Sequence, residues 1–417
     1  MQHQRRKVVV TGLGVVTALG LDERTFWSNL LAGRSGVTPL TGVDLTDVKS
    51  RNASQVDTAL LQQAMEARGI TSSDRAIDLA MLASAQALEQ AGLLAGAAAP
   101  PAPQEIGTIF GTGQGLSNTI TESWMDYFAK GPRGVRPTTI PRCMANALAA
   151  QISMRFRLTG PNYVVICACS SGSTAIGIAF RMIRDGYADR VLCGGAESAL
   201  DIGSVTAWNR LGVMSRSGDP PRACRPFDRD RDGFVIGEGA AAILLESLES
   251  ARERAARIRA EVCGYGESSD ADHITRPSAE GQAQSICAAL QDAGITPGDV
   301  GFINAHGTAT KANDECESQS IRLALGAAAD AIPVASNKSF FGHLLGAAGA
   351  LETLVTILGL EYGTVPPNLN LENPDPACAV RLVGAQPLAL NASYAMKNSF
   401  GFGGDNGVLV LRKWTVH

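Results

Sequence analysis

The run CACSSGSTAIG at residues 167–177 sets two thiols, Cys167 and Cys169, ahead of small and hydroxylated residues that lead into a helix. A thiol at a helix mouth faces free N–H groups and the positive end of the helix dipole, which favour thiolate over thiol. A thiolate placed there is a nucleophile that can form a covalent intermediate. The competing reading makes both residues buried structural cysteines. Most of the nine cysteines are expected to be of that kind, because the only close pair is CxC and not the CxxC of a metal site. Cys167 precedes Cys169 by two residues in strand alternation, so both thiols are expected on one side of the sheet, with Cys167 farther from the helix mouth.

Histidine bears on the choice. There are five, with His3 and His417 near the ends, His273 in SSDADHITRP, His306 in NAHGTAT and His343 in FFGHLLGAAG. His306 follows a strand, and His343 opens an apolar helix as Cys169 does. If two related halves face each other, the helix mouths at Cys169 and His343 converge on one pocket, with His306 in the turn beside them. A single histidine is commonly a satisfied core residue. Two of them in glycine-rich turns opposite a helix-mouth cysteine point to a site.

The elements that position these residues repeat. KVVVTGLG (7–14) reads as a buried strand entering a glycine turn. SDRAIDLAMLASAQALEQAG (73–92) reads as a helix capped by Ser72 or Ser73 and stopped at Gly92. GAAAPPAPQE (96–105) is a loop before the strand IGTIFGTG (106–113), which matches VGFINAHG (300–307) in pattern. The strand, turn and small-residue helix of 163–186, with the strand part at 163–168, return at 332–363. Apolar strands close each half at 239–247 and 406–414. The chain therefore divides into 1–252 with the cysteine and 253–417 with the two histidines, meeting near the charged segment 249–261. The helices after Ser171 and His343 are apolar on nearly every side, as buried central helices are. An α/β body layered α-β-α-β-α follows.

Composition narrows the function classes. At 417 residues the chain buries a large core without staples, and a net charge of -4 gives no reason to expect nucleic acid. Neither a signal-peptide pattern nor an apolar run long enough to span a membrane is expected, so the protein is placed in the cytoplasm.

Five motifs in order, ACSSG (168–172), RPFDRDRDGFVIGEGA (225–240), NAHGTAT (304–310), NKSFFGHLLGAAGA (337–350) and NSFGFGGDNG (398–407), resemble the type II elongating beta-ketoacyl-acyl-carrier-protein synthases over essentially the whole chain. The resemblance implies the thiolase-like fold, which agrees with the duplication. It implies that Cys169 accepts an acyl group as a thioester, that malonyl carrier protein loses CO2, and that the enolate attacks that thioester. His306 and His343 would be neutral donors to the enolate oxygen, and the N–H groups of Cys169 and Phe402 the oxyanion hole. Lys338 would lie near the histidines with Glu317 and Asp314 as its charge partners. Thr308 and Thr310 would hold the 4′-phosphopantetheine arm, Phe402 would be the gate, Phe400 and Gln114 would face substrate, and His273 would support the site. Cys167 would be packing. Histidine at 343, in GHLLGAAG, separates this pattern from the Cys-His-Cys of thiolases and the Cys-His-Asn of initiating synthases.

No tightly bound cofactor and no metal are implied. DRDRDGFVIGEG (228–239) begins like an EF-hand, yet its twelfth position is Gly239 where a bidentate Glu belongs. TGLGVVTALG (11–20) runs GxGxxT, which does not make a dinucleotide fingerprint. An inactive chain-length factor is disfavoured by the presence of Cys169, His306 and His343. Three positions depart from the family pattern: Asp405, Lys311 and Gln114. Asp405 either alters the gate or sits against a basic group, and a buried Gln114 amide would disfavour a long saturated chain. The main expectation is fatty-acid elongation by a homodimer whose partner borders the pocket near 111–118. The alternative is the ketosynthase of a type II polyketide or aryl-polyene pathway, paired with a chain-length factor.

Overall fold

The computed structural model describes residues 5–94 and 104–415. His3, His417 and nearly all of the Ala/Pro loop at 96–105 lie outside the described residues. In the first half the elements are β1 (Val8–Val16), α1 (Arg75–Gln90), β2 (Gly107–Gly111), α2 (Ser117–Lys130), β3 (Asn162–Val165), α3 (Ser171–Arg184), β4 (Arg190–Glu197) and β5 (Gly239–Ser247). In the second half they are β6 (Ala260–Ser269), α4 (Ala279–Ala293), β7 (Val300–Asn304), α5 (Lys311–Leu325), β8 (Val334–Ala335), α6 (Lys338–Phe341), α7 (Ala348–Tyr362), β9 (Tyr394–Phe400) and β10 (Asp405–Lys413).

These ten strands form one sheet in the order β8-β7-β9-β10-β6-β1-β5-β4-β2-β3. Each half keeps to its own side, and the seam is the short antiparallel ladder Val8↔Val262, Val9↔Glu261, Val10↔Ala260. Order and sense match across that seam. β5 and β10 run antiparallel to their neighbours, while β4-β2-β3 and β9-β7-β8 are parallel. The repeated pattern of the sequence is thus a repeated topology.

α1 covers β1 and β5, α4 covers β6 and β10 with α5 beside it, and α3 and α7 pack on one another between the halves. Folded at the seam, the sheet makes two β layers, with α3 and α7 each touching strands of both, and the result is the five-layered α-β-α-β-α body of the thiolase-like fold. Every residue of α7 from Ala348 to Leu360 is buried. α3 is less uniform than its composition implies, because Ile178 and Met182 are only partly covered and Arg181 and Arg184 close its last turn. Among the described residues one segment, Leu345–Tyr362, is long and apolar enough to cross a membrane, and it is 89% buried in the protein.

The small residues of SSGST and GAAGA let the central helices meet backbone to backbone. A Cβ on Gly172 would lie 2.7 Å from the Ala350 nitrogen, and one on Gly349 would lie 2.5 Å from Ser173 Oγ. Gly172→Ala is therefore expected to cost about 1–3 kcal/mol by overpacking. The check is a lowered thermal midpoint, against an unchanged one for Gly218→Ala, where nothing stands within 4 Å.

Local boundaries correct several expectations. Asp74, not Ser72 or Ser73, caps α1 by accepting the Ala76 N–H, while Ser72 Oγ and the Ser73 N–H both bond Asp78. The Ser72 hydroxyl is committed to Asp78, and Asp74, extended at φ −137° directly before Arg75, holds the cap position. The strand expected over 163–168 ends at Val165, because Ala168 takes a left-handed φ of +47° that breaks the extended run. His343 does not open α7. Gly342 at φ +68° ends α6 just before it, and a turn over Leu345–Ala347 separates it from Ala348.

Candidate active site

Cys169 and His343 both stand ahead of a central helix, Cys169 inside the turn at its entrance and His343 two residues before the matching turn. Ala168 at φ +47° and Leu345 at φ +46° are left-handed without being glycine, a strained geometry held by its surroundings at both entrances. Cys169 sits in a short 3-10 turn, Ala168–Ser170, and α3 begins two residues later. The turn also undoes the strand alternation expected for the two thiols: Cys169 is buried, and Cys167 is half-buried before the turn.

Cys169 Sγ lies 3.1 Å from His343 Nε2, and the Phe402 N–H also reaches the sulfur. The Leu345 N–H donates to His343 Nδ1 at 3.2 Å, which leaves the ring proton on Nε2, facing the thiol. The ring of His306 stands 5.4 Å from that of His343. Lys338 Nζ faces His306 Nδ1 at 3.4 Å and donates to the His306 carbonyl, so the free ring nitrogen of His306 is Nε2. Two imidazole N–H groups and one thiol therefore converge.

Burial decides the charge states. It pushes the Cys169 thiol up to about 12, only partly offset by the Lys338 charge and the Phe402 N–H. The helix-mouth argument alone favours thiolate, and desolvation outweighs it here. Burial also holds both histidines well below their ordinary value, assisted by the positive charges of Lys338 and Lys397. At neutral pH the resting triad is uncharged.

The neighbours of Lys338 differ from those the resemblance implies. Lys338 forms its ion pair with Glu352 of α7. Glu317 instead accepts the N–H groups of His306 at 2.8 Å and Gly307 at 2.7 Å, and so fixes the histidine turn. Asp314 accepts the Thr308 N–H at 3.0 Å and faces buried Arg231 at 3.4 Å. Both carboxylates lie on α5 and are spent on the backbone of the loop that α5 follows, which leaves Lys338 to the helix on its other side.

A channel leads from the triad to the surface past Thr308, Thr310, Phe400, Phe402 and Trp208. The hydroxyls of Thr308 and Thr310 lie 2.9 Å apart on its wall. His273 lines the mouth, where its Nδ1 accepts the Thr275 and Arg276 N–H groups and shapes the loop. Gln114 does not line this channel. Its side chain is exposed in the single chain and accepts from Trp208 Nε1 at 3.3 Å. Asp405 meets no basic partner among the described residues. The charge nearest it is Asp270, and burial together with that repulsion raises its carboxyl. Lys311 is the first residue of α5, just after the cap Thr310.

Three buried groups escaped the sequence reading. Glu197, at the end of β4, gathers the N–H groups of Gly113, Gln114 and Gly346 and the hydroxyl of Thr112, tying the loop after β2 to the turn after His343. Burial raises it to about 7 against those donors. Glu352 and Lys397 lie fully buried behind the histidines. Each is a lone charge in an apolar stretch, LETLVTIL and YAMKNSF, and that was a legible signal of a buried pair. The EF-hand-like stretch is held by internal bonds: Asp228 accepts the Glu372 and Asn373 N–H groups at 2.8 Å each, and Arg231 pairs with Asp375 at 2.6 Å.

Comparison with known proteins agrees with this geometry. Residues 5–251 match the Beta-ketoacyl synthase, N-terminal domain, and residues 259–372 match the Beta-ketoacyl synthase, C-terminal domain. The chain is 40% identical over 414 residues to the 3-oxoacyl-[acyl-carrier-protein] synthase 2 of Synechocystis sp., covering 99% of each protein. It is 41% identical over 418 residues to the enzyme of that name from Coxiella burnetii, covering 98% of this chain and 99% of the other. Among solved structures, the ishigamide ketosynthase/chain length factor superposes with a TM-score of 0.91 at 35% identity, covering 99% of this chain and all of that one. A type II polyketide ketosynthase in complex with its acyl-carrier protein gives 0.90 at 32% identity over the same shares. Matched end to end in sequence and in fold, with a cysteine and two histidines converging at the seam of its halves, the chain belongs to the beta-ketoacyl synthase family.

Proposed function

We infer that this protein elongates acyl chains by decarboxylative condensation, joining malonyl-acyl carrier protein to an acyl group held on Cys169. The observation that carries the reading is the buried meeting of one thiol with two neutral imidazole N–H groups at the end of a channel. In the first step Cys169 Sγ attacks the incoming thioester carbonyl. The carbonyl oxyanion is held by the N–H groups of Cys169 and Phe402, and the thiol proton leaves with the carrier's pantetheine sulfur. The Phe402 N–H already reaches the sulfur at which that intermediate forms.

In the second step the malonyl carboxylate leaves as CO2. The electrons pass to the thioester oxygen, which accepts from His306 Nε2–H and His343 Nε2–H, and the enolate carbon attacks the acyl carbonyl on Cys169. Collapse expels the Cys169 thiolate, which takes up one proton, and releases the 3-oxoacyl carrier protein. Neutral imidazoles suit this role, because they donate to the enolate without protonating its carbon. Lys338 fixes the tautomer of His306, Thr308 and Thr310 hold the pantetheine arm, and Phe402 and His273 border the passage. The arm brings its own reactive thioester, so the protein supplies no tightly bound cofactor to the reaction.

The protein acts as a pair of chains in the cytoplasm. β3 is an edge strand, with Tyr163 53% exposed, and Trp124 and Phe128 on α2 are 57% and 80% exposed. A second copy suits this apolar face. The high similarity to a ketosynthase/chain length factor also supports a second reading, in which the partner is a chain-length factor and the product a polyketide or polyene.

Intact-mass analysis tests both readings. The protein is mixed with acyl carrier proteins bearing saturated or conjugated chains, and malonyl carrier protein is then added. Acylation of Cys169 and extension of saturated chains by the protein alone is the expected result. Extension only of conjugated chains, or only with a partner subunit, favours the second reading.

A further inference from the structure

Two lysines share one carboxylate behind the histidines. Lys338 of α6 pairs with Glu352 Oε1, and Lys397 of β9 stands 2.9 Å from Glu352 Oε2, a charge contact without hydrogen-bond geometry. All three side chains are fully buried. Lys397 Nζ also donates to the Asn398 carbonyl and to Ser399 Oγ at 3.1 Å. The other titratable groups facing this cluster are Glu317 on α5, whose oxygens are bonded to the His306 and Gly307 N–H groups, His306 and His343 themselves, the Cys169 thiol and, toward Lys338, the Cys224 thiol. Glu352 is shared between the two lysines, and Glu317, the other carboxylate whose charge reaches Lys397, is spent on the His306 and Gly307 N–H groups, so Lys397 has no ion-pair partner of its own. A buried cation without its own partner costs stability and calls for a use.

We propose that Lys397 is a positioning residue of the condensation, its ammonium adding to the positive field behind His306 and His343 that draws the enolate charge toward them. The assignment rests on the decarboxylation reading above. Lys338 is committed to the His306 carbonyl and to Glu352 and fixes geometry, whereas Lys397 touches neither histidine and acts through charge alone. Its charge is removable. Burial, aided by Lys338 and opposed by Glu352, lowers it to about 8. The cation is present below that pH and lost as pH rises through it, so the field weakens in the same window.

The test is single-turnover CO2 release from malonyl carrier protein by the acylated protein between pH 6 and 10. Acylation removes the Cys169 thiol from the titration. In the unaltered protein release should fall roughly tenfold across an alkaline limb centred near 8, the scale of losing one unit charge held inside the protein. Lys397→Met should begin at that lower rate and stay flat from pH 7.5 to 9.5. Lys397→Arg, whose guanidinium keeps its charge, should retain the higher rate through pH 9.5. A merely structural role predicts a drop in Lys397→Met that leaves the limb in place, and that result overturns the assignment. So does an unaltered protein without a limb near 8, a measurement that needs no variant to fold. Absence of CO2 release at every pH would overturn the decarboxylation reading itself.

Discussion

Cys169→Ala should leave a folded protein that neither takes up an acyl group nor condenses, with turnover down by on the order of 10⁴-fold or more. The side chain is 8% exposed and loses a single sulfur, so the cost to stability is about 1 kcal/mol, the usual scale for a small buried truncation. The measurement pairs intact mass after exposure to acyl carrier protein with a thermal melt. An acyl adduct that persists in Cys169→Ala would move the nucleophile elsewhere, and Cys167 is the first place to look. Cys167 is half-buried, and burial followed by the charges of Asp405 and Glu267 raises its thiol, so it gains no thiolate at neutral pH.

A resting thiol pushed up to about 12 has a consequence for reagents. A small alkylating agent that brings no groups of its own meets a neutral sulfur and should react slowly at pH 7. An acyl carrier thioester fares better, because the sulfur's proton leaves with the departing pantetheine sulfur in the same exchange. Burial is therefore a source of selectivity: it keeps the nucleophile quiet toward solvent-borne electrophiles until the channel fills and excludes water.

The architecture and the triad were legible in the chain for definite reasons. Histidine is scarce, so His306 and His343 stood out, and glycine-rich turns ahead of apolar helices marked where they must lie. The duplicated order of strands was readable because strands buried on both faces are continuous apolar runs. Less was legible where the third dimension decides between equals. The resemblance assigns Glu317 and Asp314, which follow the histidine loop closely in sequence, to Lys338. In the fold that very closeness spends them on the backbone of their own loop, while Glu352, fourteen residues beyond Lys338, reaches its ammonium. The resemblance places Gln114 against substrate; in this chain the turn at Gly115, with its positive φ, aims the side chain at Trp208. The thiol's state was misread because the dipole argument is local and desolvation is not.

The histidines give the second large effect, and it should separate the two half-reactions. His343→Ala and His306→Ala are each expected to slow CO2 release by roughly 10²–10³-fold, the scale of deleting one preorganised donor to a developing oxyanion, or about 3–4 kcal/mol of barrier. Transfer of the first acyl group to Cys169 draws on the Phe402 N–H and does not need the enolate donors, so it should fall far less. The two variants should differ in one respect. His343 Nε2 touches Cys169 Sγ at 3.1 Å, whereas His306 is held by Lys338 and Glu317 and does not contact the sulfur, so acylation should weaken more in His343→Ala. Rapid-quench measurement of acyl-enzyme formation beside CO2 release gives both rates from one preparation. Equal losses in both steps for both variants would mean that the histidines shape the pocket and do not hold the enolate. A loss confined to CO2 release in His306→Ala, and shared unequally in His343→Ala, is what two N–H groups aimed at one oxygen, only one of them also aimed at a sulfur, must produce.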